Sequence, residues 1–284
     1  MRKSKMALML GLTISMFFVS CSNNDENASN QSVVQVENPL NKEIPKHVID
    51  AARKLELNVN HIRYDNFYFP DGTSEERLFF EEDIVMTEKE LITLSEMNTK
   101  RQYATNNLVS QGRNISIIGY TGGGGYGLST KERTALEWAV NNYNRLSGVS
   151  ISFTLTFGTN YQNKDMVVYK NPNSSGAGGS AGFPSNGRPY KWVQIYGLSG
   201  YSTNVNEHVI THEIGHSVGF RHTDWFSRQS CGQNTNEGNA GVGANHISGT
   251  PTGYDSTSIM LACFSSSEDG EFNNNDITAL QRMY

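Results

Sequence analysis

The run from His212 to Asp224, HEIGHSVGFRHTD, constrains this chain more than any other stretch. It sets His212, Glu213, His216, Gly219 and His222 at the spacing H-E-x-x-H-x-x-G-x-x-H. Residues four apart on a helix lie one turn apart on one face, so His212 and His216 present two imidazoles to one point. Such a pair can hold Zn2+, and Glu213 between them can reach a water on the metal. Gly219 can adopt a positive φ, which ends the helix and turns the chain sharply. That turn brings His222 back as a third ligand. Three protein ligands with one position left open make a catalytic rather than a structural zinc site. The bland reading is a helix with core or solvated histidines and an unrelated loop histidine. It suits the short H-E-x-x-H pattern better than the extended one.

The extended motif resembles that of the metzincin zinc endopeptidases. The HEIGH wording is similar to the bacterial dual-action HEIGH metallopeptidase family within that clan. The resemblance implies an α+β fold, with a mixed twisted sheet, a long helix and an active-site helix. A lower subdomain with a methionine turn and a C-terminal helix would complete it. Ser258-Ile259-Met260, after the turn-prone Thr250-Pro251-Thr252-Gly253, matches the methionine turn. Taken alone, Met260 would read as an ordinary core methionine. Some metzincins place a tyrosine two residues later; this chain has Ala262 there, so that role is not carried over.

The chain has 284 residues and a formal net charge of −5, which argues against a nucleic-acid partner with its need for a basic face. Residues 1–20 read as a targeting signal. Arg2, Lys3 and Lys5 precede an apolar run from Met6 to Val19 that is too short to span a bilayer comfortably. Val19-Ser20-Cys21 resembles a bacterial lipoprotein box, with Phe18 where leucine is usual. That resemblance implies a lipidated Cys21 and a place in the bacterial cell envelope, anchored at the outer membrane or cell surface. A plain secretory signal cut near Ser20 is the alternative, and either one exports the protein. Residues 21–45, rich in Asn and Ser, read as a flexible tether that cannot bury enough surface to order itself. With Cys21 lipidated, Cys231 and Cys263 remain as an even pair in an oxidising compartment. A bridge between them would close a loop worth about 3 to 4 kcal/mol; two free thiols are the alternative.

Residues 46–110 read as a small α+β domain. Pro45 to Leu57 has helical periodicity, Tyr64 to Phe69 and Leu78 to Met86 form a hairpin, and Thr87-Glu88-Lys89-Glu90 opens a second helix. Within the second strand, Phe80-Glu81-Glu82-Asp83 resembles the F-x-G-D segment of astacin pro-peptides, whose aspartate binds the zinc; Glu82 stands in the glycine's place. The resemblance implies a pro-domain in which Asp83 plugs the zinc site. A solvated acidic strand end is the other reading. Lys100-Arg101 and Arg113 are candidate activation cuts, by an activating protease that the sequence does not identify.

Residues 111–284 read as the catalytic domain. Four glycines from Gly122 to Gly125 follow the strand Ile115 to Tyr120, but no Gly-Lys-Ser/Thr ending or Rossmann spacing accompanies them, so a nucleotide site is rejected. Ser129 to Glu132 is a capping box for a helix reaching Leu146. Val149 to Phe157 alternates as a strand, and Asp165 to Tyr169 and Trp192 to Tyr196 read as further strands. The clan pairs extended substrate with an edge strand, here sought around Ala181 to Pro184. The zinc helix is expected to start near Asn204 to Asn206, with Glu207 solvated. Asp224 either accepts a ligand-imidazole N–H or belongs to the loop. His246 reads as a surface histidine. Phe272 to Tyr284 resembles the final matrixin helix, with Asp276 bracing the methionine turn or stabilising its own helix start.

The expected chemistry is zinc-dependent hydrolysis of peptide bonds in protein or peptide substrates. His212, His216 and His222 would hold Zn2+, Glu213 would serve as general base, and Met260 would lie beneath the metal. The alternatives are a zinc hydrolase of a non-peptide or cell-wall amide bond and a catalytically silent binding protein; an intact Glu213 speaks against the latter. Between Cys263 and Asn275 no charge pattern selects a substrate side chain.

Overall fold

The zinc-motif helix sits at the centre because it is apolar or uncharged nearly all round, as a helix packed on every side must be. In the computed structural model, which describes residues 42–96, 107–234 and 246–284, helix α4 spans Thr203–Val218 and every residue from Val205 on is buried. Its N-cap is Ser202, whose hydroxyl accepts from Val205 N at 3.2 Å, a little upstream of the expected Asn204 to Asn206. Cys21, the signal and Lys100-Arg101 lie outside the described residues. No helix among the described residues is long and apolar enough to cross a membrane.

Helix α4 packs against α3 (Thr130–Asn144) and against the inner edge of a five-stranded sheet. That sheet runs β5-β4-β6-β8-β7, from β4 (Asn114–Tyr120), β5 (Ser152–Gly158), β6 (Met166–Lys170), β7 (Gly178–Ser180) and β8 (Trp192–Tyr196). The first four in that order are parallel, and β7 is antiparallel at one edge. Parallel strands covered on both faces read as continuous apolar runs, and Met166 to Tyr169 is buried throughout. The alternating β5 is instead the opposite edge, which leaves Phe157 36% exposed. Ser129 caps α3 with the expected reciprocal box to Glu132.

The N-terminal residues build a second sheet, β1 (Ile62–Tyr68), β2 (Ser74–Phe80) and β3 (Ile84–Met86), with α1 (Lys46–Lys54) and α2 (Glu88–Glu96). Thr87 and Glu90 cap α2 reciprocally. Val48, Ala52, Leu57, Leu78, Phe80 and Leu91 form its own core, while Phe67, Phe79 and Val85 enter the core of the larger sheet. Tyr169 Oη and Gln194 Nε2 both donate to Tyr68 O, at 2.7 and 2.8 Å.

Leu78 to Met86 is not one strand, as expected, but two joined by a tight turn. Glu81 and Glu82 take φ of 54° and 81°, left-handed values that disfavour a side chain. Distant contacts impose the turn. Glu81 is wholly buried, and its Oε1 accepts from Asn58 N at 2.9 Å and Arg221 Nη2 at 3.2 Å. Glu82 therefore occupies the backbone geometry for which glycine is suited.

Glu207 is likewise not solvated. It is 3% exposed, accepts from Asn142 Nδ2 at 2.8 Å, and burial pushes its carboxyl up to about 7, helped by nearby Glu271. The partner lies on α3, far away in sequence, so helix periodicity could not reveal it.

Candidate active site

Helix α4 carries His212 and His216 one turn apart, as their spacing requires. His212 Nδ1 donates to Ile259 O at 2.9 Å, and His216 Nδ1 to Phe220 O at 2.8 Å. Carbonyls only accept, so each Nδ1 carries the proton and each Nε2 is left with a lone pair. Gly219 ends the helix at φ 115°, and its N–H and that of Phe220 return to His216 O and Gly215 O at 2.9 Å. The turn carries the chain to His222, which is fully buried. The three imidazole centroids are 4.6, 4.9 and 5.4 Å apart.

The donor set fits a zinc ion. His212 Nε2 and His216 Nε2 stand 3.0 Å apart with lone pairs facing. A proton shared between them would make one ring a buried cation, yet burial and the neighbouring His212 hold the His216 imidazole well below its ordinary range. A cation between the rings removes the conflict. With Asp83, the three histidines form the one metal-competent group among the described residues, their donor atoms within 4.8 Å of one another. Asp83 Oδ2 lies 2.9 Å from His222 Nε2 and 3.6 Å from His212 Nε2. Burial would raise the Asp83 carboxyl, but attraction to His222 and contacts with both imidazoles hold it well below the usual carboxylate range.

Glu213 is 2% exposed, and its Oε2 has no hydrogen-bond partner among the described residues. Burial pushes the carboxyl well above its usual range, and Asp83 adds to the effect. The side chain fits only because β7 carries Gly179 above it; a Cβ there would stand 2.5 Å from Glu213 Cγ. The edge strand lies slightly upstream of the expected Ala181 to Pro184. Ala181 itself joins the N-terminal segment: Val85 N donates to Ala181 O at 2.7 Å, and Ala181 N to Asp83 O at 2.9 Å. Asp83 thus enters the site from the turn just before β3, whose first residue Ile84 bridges in parallel to Ala181.

Met260 is fully buried beneath α4. A Cβ on Gly215 would meet its sulfur at 2.5 Å, so the glycine of HEIGH is a packing requirement that the motif alone does not explain. Thr223 N donates to Met260 O at 2.9 Å, tying the third-ligand loop to this turn. Asp276 serves in both expected ways. It accepts from Ser258 Oγ at 2.7 Å and Ile259 N at 3.0 Å, and it closes the capping box of α5 (Asn274–Met283). Burial raises its carboxyl to about 6. Asp224 belongs to the loop: fully buried, it accepts from Ala262 N, Ser230 N and Ser230 Oγ. Cys231 and Cys263 are joined as a disulfide across 32 residues, clipping that loop to the methionine turn. His246 lies apart, its Nε2 against Thr250 O at 2.5 Å.

Beside Glu213 opens a cleft of about 390 Å³, walled in part by Gly178, Gly179 and His212. His208, which sequence reasoning passed over, lines it. Its position one turn before His212 on the same helix face was the available signal.

The sequence profile of the dual-action HEIGH metallopeptidases matches residues 78–284, which takes in Asp83, all three histidines and Met260. No curated protein sequence matches the chain significantly. Among solved structures, two of myroilysin align at TM-score 0.40 with 14% and 15% identity, covering 63% of this chain and 82% and 86% of theirs. High choriolytic enzyme 1, a hatching-enzyme zinc protease from the medaka fish Oryzias latipes, aligns at TM-score 0.38 with 18% identity, covering 66% of this chain and 98% of its own. With its profile match spanning most of the chain, the protein belongs to the dual-action HEIGH metallopeptidase family and is a zinc-dependent peptidase.

Proposed function

We propose that the protein is an exported zinc endopeptidase held latent by its own N-terminal residues, with Asp83 as the plug. The observation that carries this reading is the Asp83 carboxylate set among three imidazoles, at a turn whose backbone hydrogen-bonds to Ala181. One short segment would thereby supply a fourth ligand to a metal held by the three histidines and cover the line along which an extended peptide would run. Residues 46–110 act as the pro-domain.

His212, His216 and His222 would hold zinc, which would supply Lewis acidity toward a water and the scissile carbonyl. Glu213, buried beside the imidazoles, takes the proton of the attacking water and delivers it to the leaving amine. The edge strand β7 offers main-chain groups that align the peptide, and Gly179 leaves Glu213 room beneath it. Met260 and Asp276 keep the floor of the site fixed. Substrates are proteins or peptides.

Activation requires that Asp83 be withdrawn. Of the two candidate cuts, Arg113 is paired with Asp165 at the start of β4, whereas Lys100-Arg101 lies outside the described residues. Lys100-Arg101 and Arg113 both stand as candidate cuts for an activating protease.

Replacing Asp83 with alanine in the uncut chain should raise peptidase activity by about ten- to hundredfold, the worth of charge-assisted contacts to a buried carboxylate. Cleavage of a quenched fluorescent peptide by the intact chain reads this directly. An uncut Asp83→Ala chain as silent as the parent would end the plug reading.

Export follows from residues 1–20, and the lipid anchor from Cys21, which together place the enzyme at the bacterial cell envelope. Labelled palmitate should enter the protein and be absent from Cys21→Ala. A protein that takes up no label would refute the anchor.

A further inference from the structure

We propose that Glu81 is the latch of the closed site: paired with Arg221, it seats the turn that carries Asp83 onto the three histidines. The inference rests on the latency reading and names the positioning residue that holds the inhibitory segment in place.

Arg221 lies inside the zinc motif, directly before His222, and is 4% exposed. Its Nη1 donates to Leu55 O at 3.1 Å, and its Nη2 to Glu56 O at 2.9 Å and to Glu81 Oε1 at 3.2 Å. All three acceptors belong to the N-terminal domain. Leu55 caps the C-terminal end of α1, where carbonyls carry partial negative charge. A planar fork can meet these acceptors together, which a lysine ammonium could not. Glu81 is the other half of the latch and is fully buried. Its Oε2 lies 3.7 Å from His222 Nδ1, and its main-chain carbonyl accepts from the buried Arg228 Nη1 at 3.4 Å. The segment is thus gripped by the loop that supplies the third zinc ligand.

Asp83 follows two residues later, so the place of Glu81 sets where Asp83 points. The turn between them is unfavourable by itself, with Glu81 at φ 54° and Glu82 at φ 81°. Side chains persist in that conformation only where their surroundings over-determine it. The Glu81–Arg221 pair does so with protein groups alone, whereas the hold of Asp83 on a metal needs the metal. If the segment lifts, Glu81 and Arg221 both regain water and the turn relaxes. While it stays seated both are dry, and loss of either charge leaves the other buried without its counterpart. The pair therefore acts directly on the balance between the closed and open site. Glu81→Gln removes the charge, keeps the size of the side chain and keeps an acceptor for Asn58 N.

Hydrogen exchange of the uncut full chain, read by mass spectrometry, tests the latch. Val85 N donates to Ala181 O, so the stretch containing Val85 reports lifting of the segment, while α4 reports unfolding of the core. The Val85 stretch should exchange faster than α4 in every chain. In Glu81→Gln it should exchange about ten- to hundredfold faster than in the parent, the worth of a charge-assisted hydrogen bond. The factor should be the same in the zinc-loaded and the chelated chain. Arg221→Lys keeps the charge and loses the fork, so it should speed exchange by about three- to tenfold, and it decides the matter if Glu81→Gln fails to fold. Exchange of the Val85 stretch that is unmoved by either variant, or faster only with zinc bound, would overturn the proposal. So would a Val85 stretch that opens no faster than α4, since the two would then part only on global unfolding. Cleavage of a quenched fluorescent peptide by the uncut Glu81→Gln chain should rise by a similar factor, whereas a residue that served stability alone would give no gain. Faster exchange without any cleavage would count against the peptidase reading and leave Glu81 as the latch. A gain of activity in Asp83→Ala with no loosening in Glu81→Gln would refute the latch and leave the plug reading standing.

Discussion

Glu213→Gln is expected to lower kcat/KM of the active peptidase by about 10³-fold, within the range measured for loss of a general base, while zinc affinity stays unchanged. Glutamine keeps the size of the side chain, so it still fits under Gly179, where the clearance to Glu213 is set by the missing Cβ. It cannot take a proton. The change thus removes proton transfer and leaves the imidazoles, the edge strand and the floor intact. Chelator competition measures the zinc affinity, and peptide cleavage the rate. A loss of under tenfold with zinc retained would show that another group moves the proton. A parallel loss of zinc would instead mean that Glu213 positions the ligands. Burial raises the Glu213 carboxyl and so strengthens it as a base, while a dication held nearby would draw it back toward the ionised form that can accept a proton.

The parts of this site that could be read from sequence are those set by local geometry. His212 and His216 share a helix face because of the helical repeat, and Gly219 takes positive φ because a side chain resists it. The strand alternation of β5 and the capping boxes of α2, α3 and α5 are equally local. Residues whose partners are distant could not be read this way. Glu207 looked solvated because nothing near it in sequence satisfies it; its partner Asn142 is on another helix. The strand from Leu78 to Met86 broke into two because Arg221 and Asn58 hold Glu81 in a turn that its own sequence disfavours. The lack of a side chain at Gly179 and Gly215 had meaning only once Glu213 and Met260 were placed against them. Asp83 lies between these cases. Its spacing from Phe80 suggested an inhibitory segment, but the approach to three histidines more than a hundred residues away depends on how the two sheets pack.

Removing zinc should abolish activity and lower the melting temperature of the full chain together. At a free zinc concentration about a thousandfold above its dissociation constant, bound metal adds about 4 kcal/mol to the stability of the folded state. The geometry gives a reason to expect the full effect. His212 Nε2 and His216 Nε2 face each other at 3.0 Å with lone pairs opposed, and burial keeps His216 from taking up a proton to relieve them. Backbone carbonyls fix both rings through Nδ1, so the imidazoles cannot simply turn away. Helix α4 is buried along almost its whole length, and strain at these two positions is borne by the core itself. Calorimetry with and without a strong chelator, followed by zinc addition, reads the shift and its reversal. In His216→Ala the opposed pair is gone and zinc binding is weakened, so the same chelator should move the melting temperature little. Equal melting temperatures for the zinc-loaded and chelated wild-type chain would mean that the imidazoles hold their positions without a cation, and the donor set would then have to be reconsidered as a zinc site.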